Sequence, residues 1–171
     1  MNDPLIHTGG RPVDPATLAA TRAAHPEAVR VAGAAVIARF DDDHEAFAQV
    51  VSRFLARTDP VVFCGRFNSL ISVLLNLAAR AAAGAAGPGE LICLSPTPGA
   101  DASERAAITA TSYAAGGDTS AATDVLIAYR DQHPGGSDAA PGVVALIGAL
   151  TGLVVTLVSG HGEFAEHPDP P

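Results

Sequence analysis

Acidic residues precede apolar stretches at several points along this chain, and they limit its fold more than any other feature. Asp14 stands directly before Pro15. An N-cap residue followed by proline at the first helical position is a typical helix start. Asp42 and Asp101 are each followed three residues later by a glutamate, which is the capping-box pattern. The sequence therefore predicts a chain divided into helices.

Residues 42–57 form the clearest predicted helix, with Asp42 as its cap. Apolar residues recur there at i, i+3, i+4, i+7 and i+8, which places them on one stripe of a helix. Acidic residues begin the segment and arginines end it, as the helix dipole prefers. The stripe consists of Phe47, Val50, Val51, Phe54 and Leu55.

Other segments are bounded by helix starts and breakers. The first helix is predicted to stop near Pro26, because a residue before proline is disfavoured in helical conformation. Residues 26–40 are dense in Ala and Val and show no decisive period. Gly116 and Gly117 break a predicted helix, and Asp118 or Thr119 caps the next one. Asp59-Pro60 restarts the chain, and Val61 to Phe67 is either a strand or the first turns of a long helix with a soft point at Gly65. Further predicted helices cover 68–83, 101–115 and 141–158.

We predict an all-α fold, a single-domain bundle of about six or seven helices. The alternative is a small α/β layered domain with strands near 29–38, 61–66 and 90–94, where the apolar runs are short. The bundle is preferred because five segments carry helix caps or helical stripes. The predicted organisation is a polar N-terminal arm over 1–13, a helical domain over 14–159 and a polar, Pro-rich tail over 160–171.

The chain contains ten arginines and no lysine. Schiff-base chemistry, a P-loop NTPase and a protein kinase all need a lysine, so these three classes are excluded. The Ala-rich, Lys-free composition is typical of proteins from GC-rich bacteria. We expect a protein without enzymatic activity.

The charge and the cysteine content indicate the expected cellular location and binding partners of the protein. The net charge of −8 and the scattered arginines argue against nucleic-acid binding, which needs clustered positive charge. Cys64 and Cys93 lie in apolar runs and are interpreted as buried, reduced thiols. The first residues show no signal-peptide pattern, so a cytoplasmic protein is expected. Residues 141–158 carry no charge, but they are near the minimum length of a membrane span and lack flanking arginines, so membrane insertion is not expected.

Two acidic and histidine-containing clusters are possible metal sites. Adjacent residues, as in 41–45, cannot all converge on one ion, and an acidic helix N-terminus explains that cluster. His161 and His167 are six residues apart, which is not the spacing of a helical ligand pair. No metal or cofactor is predicted.

The leading functional hypothesis is a non-enzymatic helical interaction protein, acting as a homodimer or as a subunit of a larger assembly. Its candidate contact surfaces are the stripe with Phe47, Val50 and Phe54, and the small-residue pair Gly148 and Gly152, whose spacing lets helices approach closely.

The alternative hypothesis is a small-molecule-binding protein or small enzyme with a pocket between helices. Arg66 and Arg80 are lone charges in a long apolar stretch, and both are expected on exposed faces, because no acid lies between residues 60 and 89. The candidate polar residues of such a pocket are Cys64, Arg66, Asn68, Asn76 and Tyr129.

Overall fold

The computed structural model describes residues 14–56, 59–86, 94–132 and 141–164. Within these residues 86% of positions are helical and no strand occurs, so the predicted all-α fold of about six helices is confirmed. The segments 29–38 and 61–66 of the α/β alternative are helical, and most of 90–94 lies outside the described residues. The helices are α1 (Pro15–Phe40), α2 (His44–Leu55), α3 (Pro60–Ala85), α4 (Ala102–Ala115), α5 (Thr119–Gln132) and α6 (Pro141–Phe164).

Aspartate side chains cap the starts of α1, α3 and α4. The Asp14 carboxylate accepts from the Thr17 amide, and Asp59 accepts from the amides of Val61 and Val62. Asp101 and Glu104 form the predicted capping box. Such caps satisfy amide groups that have no partner within the helix.

The caps of α5 and α2 are both aspartates. Asp118 caps α5 by accepting from the Ala121 amide, which decides between the two candidates. The prediction that Asp42 caps α2 is wrong by one residue, because Asp43 accepts from the Ala46 amide. Asp42 instead adopts a left-handed backbone conformation with φ of 57° in the turn.

The prediction that the first helix stops near Pro26 is wrong, because α1 continues from Pro15 through Phe40. A proline inside a helix removes one backbone hydrogen bond and usually costs about 3 kcal/mol. On this helix Pro26 is exposed, while Ala24 and Ala28 on the opposite side are buried. We attribute the continuation to packing of that alanine side against α3, which outweighs the local penalty.

Gly65, the expected soft point if residues 61–67 were helical, lies inside the continuous helix α3 and has a different role. A Cβ atom at this buried position would lie 2.5 Å from Ala20 Cβ and 2.7 Å from the Ala20 carbonyl carbon. Gly65 therefore allows α3 to touch the backbone of α1. Further along, Ser69 Oγ lies 3.4 Å from His25 Nδ1, so the contacts advance in step along both helices and the helices run in the same direction.

The core lies around α3, which packs against α1, α2, α4 and α6, while α5 packs on α4. α6 continues to Phe164, so the predicted domain boundary at residue 160 falls inside a helix. The predicted N-terminal arm and the last part of the tail lie outside the described residues. The largest fully buried side chains include Leu70, Leu74, Leu146, Ile147 and Leu150.

Candidate functional site: an apolar stripe on the first helix

The two sides of α1 carry apolar residues of different size. The buried side consists of Thr21 and five alanines, and it packs against the rest of the bundle. The opposite side exposes Val29, Ile37 and Phe40, whose side chains are 49%, 63% and 64% exposed. A helix that is apolar on two sides is typical of one that is covered on both.

These exposed residues lie on one line of the helix surface. Together with Gly33 they occupy positions i, i+4, i+8 and i+11, which fall on one face of an α-helix. We call this surface the outer stripe, defined as Val29, Gly33, Ile37 and Phe40. Single exposed apolar residues are common, whereas a larger exposed apolar patch is typical of an interaction site.

Positive charges flank one end of the outer stripe, and negative charges flank the other end. Arg22 and Arg30 are exposed in the first half of α1, and Asp41, Asp42 and Asp43 are exposed just beyond its last turn. The positive and negative groups of this surface are therefore separated along the helix axis. This separation sets the electrostatic preference of any helix that lies against it.

The turn after α1 is held by its own side chains. Arg39 Nη1 lies 3.1 Å from His44 Nδ1, and His44 Nε2 lies 3.4 Å from an Asp42 carboxylate oxygen. The Arg39 guanidinium also lies 5.8 Å from the centre of the Phe47 ring. These contacts fix where α2 begins relative to α1.

The residues predicted as contact surfaces are used within the chain. Phe47 and Phe54 belong to the core and are 8% and 2% exposed, while Val50 is half-buried. A Cβ atom at Gly148 would lie 3.9 Å from the Phe47 ring, and one at Gly152 would lie 3.5 Å from Arg39 Nη2. A Cβ atom would make ordinary van der Waals contact at these distances, so both glycines lie against side chains of the same chain.

Arg66 contradicts the expectation of an exposed side chain, since only 11% of it is accessible. Its guanidinium donates to Glu27 at 3.1 Å and to the carbonyl oxygen of Phe54, and it stacks on the Phe54 ring at 5.0 Å. The carbonyl belongs to the last turn of α2, where helix carbonyls have no partner within the helix. Arg66 therefore ties α1, α2 and α3 together, and the predicted exposure holds only for Arg80.

The other candidate ligand residues do not form one group with Arg66. Residues two positions apart in a helix point about 200° apart, so Cys64 and Asn68 lie on a different side of α3 from Arg66. Cys64 is half-buried with a free thiol, and thus less buried than predicted, while Cys93 lies outside the described residues. Asn76 is exposed.

Tyr129, the fifth candidate, is buried and its hydroxyl donates to the Gly142 carbonyl at 2.9 Å, at the start of α6. Burial, and then the negative charge of Asp101, raise the pKa of the Tyr129 hydroxyl. The hydroxyl is therefore protonated and serves to join α5 to α6.

Two further observations concern ligands and membranes. Among the described residues, no group of three His, Cys, Asp or Glu side chains is placed to hold a metal ion. The helices Pro60–Ala85 and Pro141–Gly160 are long and apolar enough to cross a membrane, with mean hydropathy of 1.6 and 2.3. Core helices of soluble proteins pass the same criterion, so this property does not identify a membrane protein.

Comparison with protein-family models, curated proteins and solved structures gave no match. The candidate site therefore rests on the chain's own geometry. Sequence reasoning missed the outer stripe because the apolar residues of 26–40 occur on all sides of the helix, so their period does not separate a buried face from an exposed one. The sequence shows the spacing of Val29, Ile37 and Phe40. Only the packing of the alanine face shows that these three side chains point outward.

Proposed function

We propose that this protein is a non-enzymatic helical interaction protein, and that it forms a homodimer through the outer stripe. The observation that carries the proposal is the exposure of three large apolar side chains in one row on α1. Covering these side chains removes apolar area from water, which is the main driving force of association.

We propose a second copy of the same chain as the partner that covers the outer stripe. In a symmetric dimer each subunit contributes the same patch, so one apolar row covers the other. The charges around the stripe have both signs, so a second copy also offers complementary charge. The net charge of −8 and the scattered arginines support a protein partner and not a nucleic acid.

We further propose that the protein lies in the cytoplasm and not in a membrane. Its two most apolar helices, α3 and α6, both contribute buried side chains to the core around α3. The five candidate ligand residues do not form one common group, so no observation favours the small-molecule alternative.

The test is sedimentation equilibrium of the wild type and of Ile37→Asp. Ile37 is 63% exposed in the single chain, so the substitution leaves the fold intact, as the far-ultraviolet circular dichroism spectrum would show. A charge in the centre of an apolar interface is expected to raise the dimer dissociation constant about tenfold or more. Leu77→Asp on α3 is the matched control, because Leu77 is exposed but lies outside the stripe.

A dimeric wild type, a monomeric Ile37→Asp variant and a dimeric control would support the proposal. A monomeric wild type at high protein concentration would overturn it, and so would a dimer that Ile37→Asp leaves unchanged. Recovery of the protein only in detergent would favour membrane insertion instead.

A further inference from the structure

We infer that Gly33 is the point of closest approach between the two copies, where the backbone of α1 in one copy touches α1 of the other. This inference rests on the proposed dimer and identifies the residue that sets the distance between its helices. Gly33 lies in the middle of the outer stripe, with Val29 four residues before it and Ile37 four residues after it. The stripe therefore has large side chains on both sides of a position that carries none.

The fold of the single chain does not require a glycine at this position. Among the described residues, nothing lies within 4 Å of the place that a Cβ atom of Gly33 would take, so alanine would fit. Gly33 lies inside α1, where glycine is less favourable than alanine, and its φ is not positive, unlike that of Gly99 and Gly117. Its neighbours Ala32 and Ala34 are both alanines. The glycine therefore weakens the helix without serving a described contact within the chain.

Elsewhere in the chain, a glycine marks a close contact between two helices. At Gly65 of α3, a Cβ atom would lie 2.5 Å from Ala20 Cβ and 2.7 Å from the Ala20 carbonyl carbon. The distance between packed helices depends on the side chains at their contact, so a glycine allows the closest approach. Gly33 offers the same close approach on the exposed side of α1, to a helix of another molecule.

The small size of the outer stripe also favours a close contact at Gly33. A stable interface between proteins buries about 1,200–2,000 Å² in total. Three partly exposed side chains in each copy supply too little area if they hold the helices apart. With the backbones close at Gly33, the exposed Pro26 and the aliphatic part of the exposed Arg30 side chain are also covered, since both lie beside the stripe on α1.

The test is sedimentation equilibrium of Gly33→Ala and Gly33→Leu, with Gly84→Ala and Gly84→Leu as matched controls. Gly84 is an exposed residue of α3, and nothing lies within 4 Å of its Cβ position either. If two backbones meet at Gly33, the added side chains separate them. The dimer dissociation constant should then rise about fivefold for alanine and about fiftyfold for leucine. The Gly84 variants should associate like the wild type.

Urea unfolding distinguishes a role of Gly33 in association from a role in folding. At concentrations where the dimer is dissociated, Gly33→Ala and Gly84→Ala should both shift the urea midpoint upward, because alanine favours a helix. Only Gly33→Ala should also weaken association. Damage to the fold cannot produce a variant that folds more stably and associates less tightly.

The failures of the two proposals are distinguishable. A monomeric wild type, or a dimer that Ile37→Asp leaves unchanged, overturns the dimer through the outer stripe. A wild-type dimer that Ile37→Asp dissociates, but that Gly33→Leu leaves unchanged or strengthens, retains the dimer and overturns the contact at Gly33. Leucine would strengthen association if the helices were farther apart, because it would add apolar area to the interface.

Discussion

Single residues fix the distances between helices in this bundle. Gly65 brings α3 against the backbone of α1, and Arg66, the next residue, holds the end of α2 through the Phe54 carbonyl. Glu27, the ionic partner of Arg66, is 45% exposed, so solvent weakens that pair. The bond to the Phe54 carbonyl is the more important contact, since a buried acceptor without a partner costs about 1–3 kcal/mol.

Gly65→Ala should destabilise the protein by about 1–3 kcal/mol, because the added methyl group overlaps both the side chain and the backbone of α1. The free energy of unfolding from urea denaturation measures this effect. Gly84→Ala is the matched control on the same helix, where nothing lies within 4 Å of the new Cβ atom. The control should gain about 0.4–1 kcal/mol, as alanine favours the helix. Equal effects at both positions would contradict the close contact at Gly65.

At the scale of elements, the N-terminus of α4 forms a compact polar group. The Asp101 carboxylate accepts from the Ser103 hydroxyl at 2.6 Å and from the Glu104 amide at 2.9 Å. The Ser103 bond, followed by the amide bond, lowers the pKa of Asp101 below its ordinary value of 3.8. The negative charge of Asp101 also contributes, after burial, to the raised pKa of the Tyr129 hydroxyl on α5.

Stability should therefore fall in acid partly through Asp101. A carboxylate with a lowered pKa in the folded state stabilises the protein above its unfolded pKa. That contribution is lost as the pH falls below 3.8 and through the folded pKa. Asp101→Asn should be less stable than wild type near neutral pH, and the difference should shrink in acid. Thermal unfolding at several pH values measures this, and a difference independent of pH would contradict the role of the charged cap.

At the scale of the molecule, α1 joins the core to the proposed dimer surface. Its alanine side packs in the bundle, and its outer stripe lies about half a turn away on the same helix. A charge on the outer stripe should therefore change association and leave the core packing as it is.

The unfolding temperature of the wild type should rise with protein concentration, because dimerisation binds only the folded chain. Ile37→Asp should show the same unfolding temperature at all concentrations. Differential scanning calorimetry over a wide concentration range measures both proteins. A wild type whose unfolding temperature does not depend on concentration would argue against the dimer.

The sequence alone predicted the all-α class, with an α/β alternative that the structure excludes for the described residues, and it predicted several helix starts. Asp14 and Asp101 cap helices as predicted, and Asp118 is one of the two caps predicted for α5, because a cap depends on hydrogen bonds between residues three positions apart. Local signals also placed the break at Gly117, whose φ is 87°.

Only the tertiary structure decided which faces are buried and which helices continue. α1 passes through Pro26, and Arg66 is covered by Glu27 and Phe54, because of contacts between residues distant in the chain. The exposure of the outer stripe was likewise not predictable from the sequence, because the pattern of apolar residues in α1 does not show which side packs against α3. Burial depends on the surfaces that the fold brings together, and residues a few positions apart do not specify them.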